Sequence, residues 1–266
     1  MSNTLQSVTQ QLKGRAKRAP FQLVPGIKRK LSRRNDPEVK AADSAFQQIR
    51  LKVLMRDHFT CQACGFASVS DQHAPSGFLE AHHIDDDHHH NEMDNLVTLC
   101  PYCHQVFTLG RRGDLFSALP IWLPEVSQAE LNLLCHGMFF LMRLDDRSRR
   151  DEIQLSASAK ARCAHVADLY QHMLSQGDAR LQALGVPLTS FDALEVLSGA
   201  LMGLTDREYA LRHLFLGSLR LVPDMTHFSE HINFWADNVW LRGVKPDGWD
   251  ALIHQVSESI GLQEPV

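Results

Sequence analysis

Two Cys-x-x-Cys pairs are the residues of this sequence whose types and spacing most clearly point to chemistry. Cys61 and Cys64 form the first pair, and Cys100 and Cys103 form the second after thirty-five intervening residues. Two such pairs supply four thiolate ligands, about 2.3 Å from the ion, for the tetrahedron that zinc accepts. We therefore predict a structural Zn²⁺ site with these four ligands. The alternatives are a redox-active motif and four unrelated buried thiols.

A group of histidines and one asparagine lies between the two cysteine pairs and directly after the second. The group comprises His82, His83, Asn95 and His104. A neutral imidazole can take a proton from water, and a divalent cation can neutralise a phosphate and the departing 3′ oxygen. These side chains therefore suit phosphodiester cleavage. The alternative for His82 and His83 is structural support of the cysteine site, and residues 88–90 are interpreted as a solvated loop.

The order of these residues resembles the HNH family, whose ββα-metal fold cleaves nucleic acids. By motif position, the resemblance implies that His83 is the general base and that Asn95 orients it. It also implies that His82 and His104 bind a second divalent cation. The lysine usually found after the last histidine is replaced here by the segment 105–109, which leaves Arg111 and Arg112 nearby as phosphate contacts.

The charge of the chain is uneven, although its net value is only −4. Residues 1–40 contain ten basic and two acidic residues, a formal charge of +8, and the remainder carries −12. A basic arm of this kind suits nucleic acid, an anionic membrane surface or an acidic protein partner. A solvated tail is the remaining alternative.

Hydrophobic periodicity predicts the elements that position these residues. Residues 40–57 read as a helix that leads into the first cysteine pair, 78–84 as one arm of a hairpin, and 103–107 as a helix. Helices follow from residue 115 onward, with Ser127-x-x-Glu130 and Thr205-x-x-Glu208 as capping boxes and Gly177 as a helix end. Cys135 and Cys163 lie on apolar faces and are predicted to be small core residues.

These elements predict an α+β fold, with an HNH-like ββα zinc module followed by a mostly α-helical domain. The predicted division is a basic N-terminal arm over 1–40, the zinc module over 41–114 and a helical interaction domain over 115–266. The longest apolar stretch, Leu131–Met142, is shorter than the ~20 residues of a membrane-spanning helix. The first twelve residues lack the apolar core of a secretory signal, so we expect a cytoplasmic protein.

A second resemblance extends well beyond the zinc module. Residues 121–136 resemble a segment of the IcmJ/DotN family of type IVB (Dot/Icm) secretion systems. Residues 56–65, 95–98, 219–223 and 234–235 resemble further segments of the same family. This similarity extends over most of residues 41–240, whereas the HNH similarity is confined to the zinc module.

The longer resemblance implies a zinc-stabilised adaptor built on an HNH-like scaffold. Such an adaptor belongs to the coupling complex at the cytoplasmic face of the inner membrane. It binds the C-terminal segment of a DotL-like coupling ATPase together with other subunits of the complex, and its association with the membrane is peripheral. The alternatives are a metal-dependent HNH endonuclease that cleaves DNA through His83, and a zinc module that binds nucleic acid through the basic arm without catalysis. We favour the adaptor because phosphate cleavage has no need of the long helical region.

Overall fold

The computed structural model describes residues 22–28, 37–87, 89–109, 117–183 and 190–259. Helices and short antiparallel sheets alternate along these ranges, which confirms the predicted α+β class. The elements are α1 (Pro37–Arg56), β1 (Glu80–His83), β2 (Leu96–Leu99), α2 (Pro101–His104), β3 (Ala118–Trp122), α3 (Gln128–Arg149), α4 (Ala157–Ala183), α5 (Ser190–Gly203), α6 (Asp206–Ala210), α7 (His213–Leu216), β4 (Leu219–Pro223), α8 (Ser229–Trp235) and α9 (Trp249–Ser259).

The first sheet and the helix after it form the predicted ββα arrangement. Strands β1 and β2 are antiparallel, with Glu80 opposite Leu99 and His83 opposite Leu96. Pro101 occupies the first turn of α2, where its missing N–H costs no helical hydrogen bond. A pair of strands this short is marginal alone, so its stability depends on packing against the rest of the protein.

The second sheet was not predicted from the sequence. Strands β3 and β4 are antiparallel, with Ala118 opposite Pro223 and Trp122 opposite Leu219, inside the region that was expected to be mostly helical. Most of their residues are buried, so they read as apolar runs without the alternation that marks a half-exposed strand. Pro120 and Pro223 are tolerated because both strands lie at a sheet edge.

Two predicted helix starts are confirmed and one predicted helix end is wrong. The side chains of Ser127 and Thr205 each accept a hydrogen bond from the backbone N–H of the glutamate three residues later, and each glutamate carboxylate accepts one from the backbone N–H of the cap residue. Gly177 does not end a helix, because α4 continues to Ala183. A single glycine inside a helix costs only about 1 kcal/mol relative to alanine, which tertiary packing can offset.

One hydrophobic core joins the ββα region to the later helices. It contains Val53 of α1, Leu79 and Leu99 around the first sheet, Phe139 of α3 and Val256 of α9. Cys135 and Cys163 are fully buried in it, as predicted. No helix among the described residues is long and apolar enough to cross a bilayer.

The segment 22–28 is attached to a second, smaller core. Val24 and Ile27 pack there with apolar residues of α5 and α7. The Gly26 N–H donates to the Val106 carbonyl at 2.8 Å, and the Leu109 N–H donates to the Gly26 carbonyl at 3.0 Å. This segment therefore connects the end of the ββα region to the α5–α7 region.

Candidate metal centre and histidine site

The four predicted cysteine ligands lie together in the interior. Their sulfur atoms are all within 4.8 Å of one another. Cys61, Cys100 and Cys103 are fully buried and Cys64 is 8% exposed. The Cys64 and Cys100 sulfurs are 3.7 Å apart, close to the ~3.8 Å edge of a tetrahedron with 2.3 Å metal–sulfur bonds. The cluster therefore has the donor set and the spacing of a closed four-sulfur metal site.

Tight backbone turns hold both cysteine pairs in place. The Gly65 N–H donates to the Cys61 carbonyl, and the Cys61 N–H donates to the Phe66 carbonyl. Gly65 has a φ of +83°, which a residue with a side chain rarely adopts. In the second turn, the backbone N–H groups of Cys103 and His104 both donate to the Cys100 carbonyl.

The acidity of the cluster reflects burial and mutual hydrogen bonding. Burial raises the pKa of Cys100 and Cys103 well above the usual thiol value. Burial acts in the same direction on Cys61, but hydrogen bonds from the other three thiols outweigh it and lower the Cys61 pKa. A divalent cation would stabilise all four thiolates, so the buried donor set fits a metal ion.

Two polar side chains of α3 contact the cysteine cluster, and sequence analysis missed both. The Asn132 amide donates to the Cys103 sulfur at 3.2 Å and to the Tyr102 carbonyl at 3.0 Å. His136 Nε2 lies 3.4 Å from the Cys100 sulfur. Their only sequence signal is that they interrupt the apolar stretch Leu131–Met142, where a buried polar residue requires a partner.

His136 is held as a neutral ring between aromatic neighbours. Its ring stacks on Phe66 at a centroid distance of 3.7 Å and on Tyr102 at 4.2 Å. Burial lowers its pKa to about 3. A metal-bound thiolate accepts hydrogen bonds, so Nε2 of this neutral imidazole would carry the proton and donate it to Cys100.

Two of the histidines expected in the HNH-like site, His82 and His104, are close to each other, and both His82 and His83 are buried. His82 is 4% exposed and His83 is 2% exposed. The rings of His82 and His104 are 5.3 Å apart, and His82 stacks on Phe107 at 4.6 Å. His104 Nδ1 lies 2.9 Å from a carboxylate oxygen of Glu80. That contact would leave Nε2 of His104 as the nitrogen that binds a cation.

His83 contacts a different asparagine from the one that its motif position implies. His83 Nε2 is 2.8 Å from Asn91 Oδ1, and its ring lies 5.0 Å from Phe46. Burial lowers the pKa of His83 despite the opposing hydrogen bond to Asn91. The side-chain amide of Asn95 instead donates to Asp85 and to the His90 carbonyl, each at 2.8 Å. Asn95 thus organises the loop that carries Asn91.

The same loop contains charged side chains at the surface. Lys28 forms an ion pair with Asp86 at 2.7 Å, which joins the segment 22–28 to the loop. His90, Glu92 and Asp94 are exposed and their ligand atoms lie within 4.8 Å of one another. His88, Arg111 and Arg112 lie outside the described residues.

Comparison with known proteins agrees with both resemblances drawn from the sequence. The family model "HNH endonuclease" matches residues 61–106. The type 4 apparatus protein DotN of Legionella pneumophila is 29% identical over 197 residues, which cover 73% of this chain and 80% of DotN. The H-N-H endonuclease F-TflIV of Escherichia phage T5 is 48% identical over 44 residues, which cover 16% of this chain and 18% of that enzyme.

The fold and the matches define a chain with an HNH-like module inside a longer, mainly helical protein. The HNH match coincides with the cysteine cluster and the ββα elements. The similarity to DotN extends far beyond that module. The resemblance to the IcmJ/DotN family is thereby confirmed.

Proposed function

We propose that this chain is a zinc-stabilised adaptor of a type IVB (Dot/Icm) secretion system. In this proposal it works in the coupling complex at the cytoplasmic face of the inner membrane, where it binds the C-terminal segment of a DotL-like coupling ATPase. Residues 41–114 form the zinc module, 115–266 supply the interaction surface and 1–40 form a basic arm. The observation that carries the proposal is the similarity to DotN over 73% of the chain.

The contacts of α3 with the cysteine cluster support a scaffolding role for the metal. Asn132 and His136 belong to the region outside the HNH match, yet both contact cysteine sulfurs. Metal binding would therefore order the helical region as well as the ββα elements. An adaptor needs such a rigid surface, since a pre-organised partner loses less conformational entropy on binding.

The burial of the histidines also supports an adaptor. A general base must come within about 3 Å of the proton that it abstracts, whereas His83 is only 2% exposed and lies against Phe46 and Asn91. The loop that carries Asn91 lies against His83. The Lys28–Asp86 ion pair and the Asp85–Asn95 hydrogen bond hold this loop in place. A phosphodiester would reach His83 only after this loop moved.

Zinc is the metal that we assign to the four cysteines. Four buried thiolates without an open position suit a structural zinc ion rather than a catalytic one. Elemental analysis of purified protein should give one zinc per chain, and Cys61→Ala should remove it. Protein that folds fully without metal would contradict this assignment.

The exposed apolar residues of the helical region are the partner contacts that we would test first. Leu214 is 71% exposed and Phe215 is 50% exposed, both on α7. Exposed apolar groups of this size are suited to a partner interface. The test measures binding of the full-length chain to the coupling ATPase of the same secretion system by co-purification and by titration.

The double substitution Leu214→Asp and Phe215→Asp should weaken that binding about 30-fold, as expected for contacts worth about 2 kcal/mol. The matched control is Leu51→Asp with Met55→Asp, because these residues are 43% and 59% exposed on α1. Absence of ATPase binding by the unmodified chain would contradict the adaptor proposal. Equal loss in both variants would exclude α7 as the specific contact.

A metal-dependent HNH endonuclease is the second candidate, because the chain is 48% identical to F-TflIV over 44 residues and retains His82, His83, Asn95 and His104. The test incubates the protein with supercoiled DNA and Mg²⁺, Mn²⁺ or Ni²⁺. Nicking that is lost in His83→Ala, with the zinc content unchanged, would establish the endonuclease and overturn our first proposal.

A further inference from the structure

A small cavity lies between β1, the end of α2 and the start of α8, on the side of His104 that faces Glu80. Its volume is about 200 Å³. The lining residues that matter for binding are Glu80, His104, Gln105, His227, Phe228 and His231. Neither the proposed zinc site nor the proposed adaptor contacts on α7 use this cavity, which shares His104 with the second-cation site that the HNH resemblance implies.

Gln105 is the residue that marks the cavity as a binding site. It is 5% exposed, and neither its amide nitrogen nor its amide oxygen has a hydrogen-bond partner among the described residues. Buried side-chain amides are almost always paired in folded proteins, because an unpaired one loses its hydration without replacement. A ligand in that cavity that carries N–H donors can pair with the amide oxygen of Gln105.

The charge of the lining favours a cationic ligand. Glu80 contributes a carboxylate, one oxygen of which lies 2.9 Å from His104 Nδ1, and neither lysine nor arginine lines the cavity. Burial lowers the pKa of His231, so that this imidazole is neutral at pH 7 and can accept a hydrogen bond. Together with the Gln105 oxygen, these groups form a set of hydrogen-bond acceptors around one negative charge.

The aromatic groups of the lining suit a planar cation. Phe228 and His231 meet nearly perpendicularly, with ring centroids 5.5 Å apart. A guanidinium stacks on aromatic faces, presents five N–H donors and is more weakly hydrated than an ammonium. A cavity of about 200 Å³ has room for this group and for part of an arginine side chain.

The cavity is open to a partner on one side. His227 is exposed, and Glu80 exposes 39% of its side chain. We propose that this cavity binds the guanidinium group of an arginine side chain supplied by a partner protein. The inference rests on the proposed function only for the existence of that partner, since recognition of the guanidinium can be tested without it.

The test is an NMR titration of full-length, zinc-loaded, ¹⁵N-labelled protein in buffer to which no further metal is added. The probes are the N-acetyl methylamides of arginine, of lysine and of citrulline, which is the neutral isostere of arginine. The arginine probe should cause saturable shifts of the His227, His231 and Gln105 side-chain signals. The lysine probe should bind at least tenfold more weakly, and the citrulline probe should not saturate.

Two substitutions locate the binding groups. Gln105→Leu removes the unpaired amide, and Glu80→Gln removes the charge, so each should weaken binding of the arginine probe at least tenfold. The matched control is Gln48→Leu on the exposed side of α1, which should leave binding unchanged. The backbone spectrum of each variant reports whether the fold is retained.

Several outcomes would overturn the proposal. Equal binding of the arginine and citrulline probes would show that the cavity does not recognise the positive charge. Undiminished binding of the arginine probe by Gln105→Leu would show that the Gln105 amide does not take part in binding. Signals that shift only when Zn²⁺, Ni²⁺ or Mg²⁺ is added would make the cavity a cation site. Binding of the arginine probe without capture of the coupling ATPase would leave the cavity proposal standing while the adaptor proposal fails.

Discussion

His136 and Asn132 connect a helix outside the HNH match to the sulfur atoms of the metal centre. Hydrogen bonds to a metal-bound thiolate reduce its negative charge and fix its direction, so these residues should affect metal affinity without binding the metal. Neither could be identified from sequence, because their partners lie about 30 positions away in the chain and only the fold brings them together.

Replacement of His136 by Phe tests the hydrogen-bonding role at the scale of one residue. Phenylalanine can keep the stacking on Phe66 and Tyr102 but lacks the N–H that faces Cys100. We expect metal affinity to fall about 10–100-fold, measured by competition with a chromophoric chelator. His172→Phe, at an exposed position of α4, is the control. A folded His136→Phe variant with unchanged metal affinity would show that His136 contributes only packing and not a hydrogen bond to Cys100.

The contact between Asp85 and His90 gives a second test at residue scale, in the loop that covers His83. Burial acts to raise the Asp85 pKa, but hydrogen bonds from His90, from the Asp87 backbone and from Asn95 outweigh it and lower the pKa to about 2. The folded-state pKa is below the unfolded one, so this carboxylate stabilises the fold above about pH 4. That contribution is lost as the pH falls toward 2.

In His90→Ala the Asp85 pKa should therefore rise toward its ordinary value, as measured by carboxyl NMR titration. Conversely, Asp85 raises the pKa of His90, so Asp85→Asn should lower it. His89→Ala is the control, because His89 is exposed and the substitution keeps its backbone N–H, which donates to Asp87. An unchanged Asp85 titration in His90→Ala would mean that the imidazole is not its main partner. The pair is exposed, so the pKa is a better readout than melting temperature.

Helix α3 contacts both the second sheet and the cysteine cluster. Its first turn starts at the Ser127 cap. Gln128 next to the cap exchanges two hydrogen bonds, both of 2.8 Å, with the backbone of Leu221 in β4. Gln128 also donates to Asn132, which contacts the cysteine cluster. The start of α3 therefore positions both the second sheet and the metal centre.

Ser127→Ala should destabilise the protein by about 1 kcal/mol, because the Glu130 backbone N–H loses its acceptor. Thermal unfolding measures this loss. Ser175→Ala on α4 is the control, since that exposed hydroxyl donates to the His172 carbonyl of the preceding turn. It should change stability by less than about 0.5 kcal/mol. Equal losses of stability in the two variants would show that the Ser127 cap contributes no more than an ordinary surface hydroxyl.

The elements also show which features the sequence could predict. The spacing of the four cysteines predicts their convergence, because two short turns and one ion leave few other arrangements. Both capping boxes are local motifs and were predicted correctly. The pairing of β3 with β4 joins residues about a hundred positions apart, and nothing local encodes it. The cavity at Gln105 was missed for the same reason, since β1, α2 and α8 each supply part of its wall.

At the scale of the whole molecule, described residues on both sides of the predicted boundary at 114/115 share one hydrophobic core. Trp235 of α8 lies at this junction, because its indole N–H donates to the Gly77 carbonyl at 3.1 Å. Its ring also packs near Phe66 at 4.9 Å and near Tyr102 at 5.6 Å. Two modules that share such contacts should unfold together rather than in sequence.

Metal removal tests this expectation for the entire protein. Structural zinc contributes about 10–16 kcal/mol in small metal-ordered peptides, which is comparable to the ~5–15 kcal/mol that stabilises a whole domain. Chelation, or Cys100→Ala, should therefore abolish the cooperative thermal transition of the helical region as well as that of the ββα region. Tryptophan fluorescence, to which the buried Trp235 contributes, and release of the metal should follow the same curve. Cys163→Ala, buried outside the cluster, should retain both the metal and the transition. If the helical region instead melts unchanged after metal loss, the two regions unfold independently at the predicted boundary. The contacts of α3 with the cysteines would then contribute nothing to the stability of the helical region.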